Sequence, residues 1–64
     1  MDHLTAQSGD RIVVVNLLTY YAGITGTLRA PVDEPRVRWW VDLDWETPNT
    51  FREAIFDAWE LDPA

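Results

Sequence analysis

The chain has 64 residues, no cysteine and a net charge of −6. That length allows one domain, which hides only about 60% of the surface its unfolded form exposes, and the lack of Cys excludes a disulfide framework and every thiolate metal site. Five basic residues, all Arg, against eleven acidic ones argue against a phosphate-gripping protein, which needs clustered Lys and Arg.

The remaining composition is that of a folded domain. Hydrophobic residues make up 47% of the chain and four are Trp, which suits a tiny core because each buried aromatic contributes roughly 150–250 Å². No apolar stretch approaches the roughly 20 residues a membrane helix needs. Met1 to Ser8 lacks the basic region and apolar core of a signal peptide. A cytoplasmic protein is the expectation. The first half of the chain, to residue 32, is neutral; the second half carries the whole −6. This asymmetry reads as solubilising surface charge or as an acidic face for a basic partner.

Residues 1–8 are polar and without periodicity, a flexible leader. Ser8-Gly9-Asp10 signals a turn, and Arg11 to Leu18 follows with three consecutive Val, which favour a strand. Apolar residues on both faces of Ile12 to Val15 suggest little exposed surface, as in a small barrel. Thr19 to Gly23 breaks the pattern. Ile24, Gly26 and Leu28 then alternate with Thr25, Thr27 and Arg29, and the internal Gly26 suggests a bulge or bend. Pro31 to Pro35 reads as a loop.

The third strand carries the clearest signal. Val37, Trp39, Val41, Leu43 and Trp45 share one face, while Arg36, Arg38, Trp40, Asp42 and Asp44 share the other. Trp40 is the single apolar exception on the polar face. Glu46 to Asn49 is a turn.

Thr50 to Ala64 admits two readings. As a helix, Phe51, Ala54, Ile55, Ala58 and Trp59 form one apolar stripe, and Thr50 with Glu53 matches a capping box. As a strand, Phe51, Glu53 and Ile55 share a face, which sets a carboxylate among core residues.

The order of elements resembles the SH3-like barrels, particularly the KOW type and the small barrel subunit IV of photosystem I. The resemblance is carried by Gly9 to Val14, the Tyr20-Tyr21 loop, Gly23 to Leu28, Val37 to Asp44 and the closing Trp59-Glu60-Leu61-Asp62-Pro63. It implies a mainly β, five-stranded SH3-like barrel over residues 9–64, with Thr50–Phe56 as fourth strand and Asp57-Ala58-Trp59 as a 3-10 turn. The alternative is a three-stranded meander covered by a helix over residues 51–60. KOW barrels commonly bind RNA or ribosomal and transcription proteins. This chain departs from them in having no Lys and an acidic third strand.

Little here suggests catalysis, and no cofactor is implied. His3, the only histidine, lies in the leader, where no fixed substrate geometry is available. Ser8, the only serine, has no His partner in structured sequence. Asp42 and Asp44 stand about 7 Å apart along one strand face, without the loop that a calcium site requires. They read as a solvated acidic row.

The exposed aromatics point elsewhere. Trp40 stands between Arg38 and Asp42, and Trp and Arg are the types most enriched at interface hot spots; alternatively Arg38 covers the indole by a cation–π contact. Tyr20 and Tyr21 fall where SH3-like barrels carry the loop beside their peptide groove, and one of the two adjacent rings must face solvent. The expected function is a non-enzymatic protein-interaction module or accessory subunit, binding through Tyr20, Tyr21, Arg38, Trp40, Asp42 and Asp44. The alternatives are a KOW-like nucleic-acid or ribosome-associated domain and an acidic nucleic-acid mimic of the phage type. Self-association through Trp40 would satisfy the same logic.

Overall fold

The computed structural model describes residues 5–33, 35–44 and 53–64. Five antiparallel strands follow in the order β1 (Arg11–Val14), β2 (Thr25–Pro31), β3 (Arg38–Leu43), β4 (Glu53–Asp57) and β5 (Leu61–Pro63), with a 3-10 turn at Ala58–Glu60 between the last two. In space the order is β4-β3-β2-β1-β5. The mainly β reading holds. The helix over residues 51–60 does not: Glu53–Asp57 is a strand, and among the described residues there is no α-helix. The difficulty of a carboxylate in the core disappears because the core face of β4 is Ala54 and Phe56, leaving Glu53 and Ile55 outside. Barrel closure is also corrected. Among the described residues β4 and β5 are the two ends of the sheet and do not pair with each other.

One face of the sheet holds the core, in which Ile12, Val14, Leu28, Trp39, Val41 and Leu61 are essentially inaccessible. Ala6, within the segment expected to fray, is only 2% exposed and packs in this core. Gly9 N–H donates to the Leu28 carbonyl at 2.8 Å, which fixes the chain just ahead of β1.

Two strand ends differ from the sequence reading, each for a local reason, and so does the place of one irregularity. β1 stops at Val14 rather than running to Leu18. Asn16 turns the chain there, its side-chain oxygen accepting from the Leu18 N–H at 3.0 Å and its carbonyl from the Thr19 N–H at 3.2 Å; such an Asx turn competes with strand pairing. β2 continues through Pro31, opposite Trp39. β1 pairs only with Thr25 to Thr27, so the missing Pro31 N–H costs no ladder bond on that side. The irregularity expected at Gly26 falls instead between Leu28 and Ala30.

The alternation of β3 begins later than expected. Arg36 has φ 71°, in the left-handed region, and this break releases Val37 to 40% exposure although it was expected in the core. From Trp39 onward the pattern holds: Trp39, Val41 and Leu43 are buried, while Arg38, Trp40 and Asp42 are exposed. The Trp39 indole N–H donates to the Arg36 carbonyl at 2.9 Å, so the buried ring satisfies its one donor at the kink. Trp45 and Phe51, both expected in the core, lie outside the described residues, as do His3, Glu46 and Thr50.

Candidate functional site

The ladder between β3 and β4 decides which side chains meet on the outer face. Ala58 N–H donates to the Val37 carbonyl at 2.7 Å, and Val32 N–H donates to the Arg38 carbonyl at 2.9 Å. Val37 therefore bonds toward β4 and Arg38 toward β2. In an antiparallel pair these roles alternate, and non-hydrogen-bonded pairs bring their side chains closest. Trp40, opposite Ile55, is such a pair.

Trp40 is 39% exposed and Ile55 45%. On its other flank Trp40 faces Ala30 of β2. Arg29, Ala30, Trp40 and Glu53 line a shallow recess of about 240 Å³, whose charged rim is the Arg29–Glu53 ion pair. Ala30, Trp40 and Ile55 thus form an exposed apolar row across three strands, bordered by that ion pair.

Arg38 is held by Asp33. Its Nη2 donates to Asp33 Oδ2 at 2.6 Å, and this bond, then the Asp33 charge, push the guanidinium above its ordinary value. Asp42 is exposed and sits between Thr27 and Glu53 in register. Asp44 is engaged within the fold. Arg11 holds both its oxygens, and the Thr25 hydroxyl donates to Oδ2 at 2.6 Å. The hydrogen bond from Arg11, then that from Thr25, lower the carboxyl from 3.8 to about 2.

The six candidate residues separate into two surfaces. Arg38, Trp40, Asp42 and Asp44 lie on the outer side of the sheet. Tyr21 lies on the core side, its ring edge-on to Phe56 with centroids 5.8 Å apart. Tyr20 packs edge-on against Tyr21 at 5.8 Å and is 79% exposed, so it is Tyr20 that faces solvent. Its loop, residues 15–24, contains no charged residue, and Leu17 and Leu18 are almost fully exposed. The Val15 N–H donates to the Glu60 carbonyl at 2.8 Å, tying the loop's start to the 3-10 turn that presents an exposed Trp59.

Ile55, Leu17, Leu18 and Trp59 were not among the sequence candidates. Both readings of Thr50 to Ala64 turn Ile55 toward the core, and the helical one buries Trp59 as well. Asn16 was the available signal for the two leucines, because an Asx residue inside an apolar run favours a turn.

Among the described residues no group of three or more His, Cys, Asp or Glu side chains is placed to hold a metal ion. No helix among them is long and apolar enough to cross a membrane. The chain matches no protein-family model, no curated protein and no solved structure.

Proposed function

We propose that this chain is a non-enzymatic protein-interaction module of SH3-like type that recognises a protein partner through the outer sheet face centred on Trp40. The observation that carries the reading is the exposed cross-strand pair of Trp40 and Ile55. A half-exposed indole beside an exposed Ile gains little more from folding, whereas a Trp buried against a partner can contribute about 2 kcal/mol or more. Asp42 flanks it on the same strand face and orients a partner by charge, while Arg38 on its other side is held by Asp33. Asp44, held by Arg11 and Thr25, keeps that face in shape. The SH3-like assignment is supported by the strand order, the loop after β1 and the 3-10 turn between β4 and β5. The KOW-like nucleic-acid reading is opposed by the acidic balance of the chain.

The uncharged loop is favoured as a second contact, with Leu17, Leu18 and Tyr20 exposed together and Tyr21 anchoring them to Phe56. The test is partner capture together with sedimentation, run on wild type, Trp40→Ala and Tyr20→Ala. Trp40→Ala should fold and lose its captured partner. A folded Trp40→Ala that retains every partner removes the outer face from the site.

A further inference from the structure

β4 is an edge strand, and its ladder shows which backbone groups look outward. Ala58 bonds to Val37, so by alternation Phe56 and Ala54 bond to β3 as well. The N–H groups of Glu53, Ile55 and Asp57, with the carbonyls of Glu53 and Ile55, therefore point away from the sheet. Among the described residues no strand pairs with that side. An edge of this kind is a template for an added strand.

The side chains along the edge restrict what can be added. Glu53, Ile55 and Asp57 share the outer face in the pattern acid, apolar, acid. Asp42 stands directly opposite Glu53 on β3, so among the described residues two carboxylates share that end with Arg29, which pairs with Glu53. At the other end Arg38 is opposite Asp57 but is hydrogen-bonded to Asp33. Among the described residues the edge thus keeps an acidic surplus at both ends. A second copy of this chain, paired antiparallel about Ile55, would set Glu53 opposite Asp57 of the other copy twice over. Like charges directly opposite destabilise a sheet. A strand with basic residues two positions to either side of an apolar one meets both acids and covers Ile55.

We propose that the open edge of β4 takes up, by strand addition, an extended partner segment with the outward pattern basic, apolar, basic. The proposal rests on the outer-face reading given above and specifies the partner's chemistry: main-chain bonds to Ile55 and its neighbours, an apolar side chain beside Ile55 and Trp40, and two cations on Glu53 and Asp57.

The test uses the 15N-labelled chain and a capped peptide, Thr-Lys-Thr-Ile-Thr-Lys-Thr, with Thr-Glu-Thr-Ile-Thr-Glu-Thr as its charge-reversed control. The basic peptide should shift the amides of Glu53, Ile55 and Asp57 and slow hydrogen exchange at Ile55 by about tenfold or more, leaving the already bonded Ala54 and Phe56 amides little changed. The variant carrying Glu53→Lys and Asp57→Lys should prefer the acidic peptide instead. No protection of the Ile55 amide at millimolar peptide, or equal binding of both peptides by wild type, overturns the proposal. So does protection of that amide by self-association without peptide. Failure here while Trp40→Ala still loses its partner sinks the edge alone. Edge protection by the basic peptide while Trp40→Ala retains every partner sinks the Trp40 reading and leaves the edge standing.

Discussion

Arg11 and Asp44 lie on strand ends that do not pair with each other, yet they clasp across β2. Arg11 Nη1 donates to Asp44 Oδ1 at 3.1 Å and to the Thr27 hydroxyl at 2.8 Å, while its Nη2 holds Oδ2. Asp44 N–H in turn donates to the Thr25 carbonyl at 3.0 Å. One bidentate pair thus ties β1, β2 and the end of β3 together.

This clasp has a pH signature. The Asp44 carboxyl falls from 3.8 to about 2 in the folded chain, through the hydrogen bond from Arg11 first and from Thr25 next. A folded value below the unfolded one means that the carboxylate's contribution is complete above pH 3.8 and is lost as pH falls toward 2. Wild type should therefore lose stability more steeply across that window than Asp44→Asn, followed by circular dichroism during acid titration. The effect is modest because both side chains are about half exposed, 50% and 45%. Parallel curves for the two chains would show that Asp44 does not act this way.

The adjacent tryptophans of β3 should respond oppositely to truncation. Trp39 is 1% exposed and its indole N–H is bonded to the Arg36 carbonyl, so Trp39→Ala opens a cavity and removes that hydrogen bond. Removing a buried aromatic typically costs about 3–5 kcal/mol, enough to unfold a domain this small. Trp40→Ala loses only a partly exposed contact with Ile55, about 1 kcal/mol. Chemical denaturation of both variants measures the difference. Equal destabilisation would place the strand one residue out of register.

Gly26 is required by close packing. It lies between Ile12 and Leu43 in register, and an added Cβ would stand 2.7 Å from the Asp42 carbonyl oxygen. That atom is backbone and cannot swing aside. Gly26→Ala should cost about 1–3 kcal/mol, the range for overpacking a tight site, and thermal denaturation reads it directly. An unchanged melting temperature would mean that β2 and β3 stand further apart than described.

The inner face of β3 was legible because strict period-two alternation has few other solutions: Trp39, Val41 and Leu43 point where the pattern put them. The kink at Arg36 was not, because nothing in Val37-Arg38-Trp39 signals a left-handed residue before it. The resemblance implied a fourth strand over Thr50–Phe56, whereas the spacing of Phe51, Ala54, Ile55 and Ala58 by itself suits a helix; pairing of Glu53–Asp57 with β3 overrides that local preference, as tertiary context often does. Trp40 was visible as an outward-facing residue for the same reason as the core. Its partner Ile55 was not, since cross-strand neighbours follow from register, which a single chain of letters does not supply.

The competing nucleic-acid reading makes a distinct forecast. Binding through counterion release needs cations directed at phosphate, and among the described residues Arg11 is engaged with Asp44, Arg29 with Glu53 and Arg38 with Asp33. On the outer face each of these pairs presents an acid where a phosphate would approach, and Asp42 adds another beside Trp40. Base stacking on Trp40 is worth about 1–3 kcal/mol, too little by itself for tight binding against a net charge of −6. Fluorescence anisotropy with single- and double-stranded oligonucleotides should therefore show no micromolar affinity at physiological salt. Micromolar affinity that weakens as salt rises would overturn this forecast and move the function to a KOW-like nucleic-acid domain.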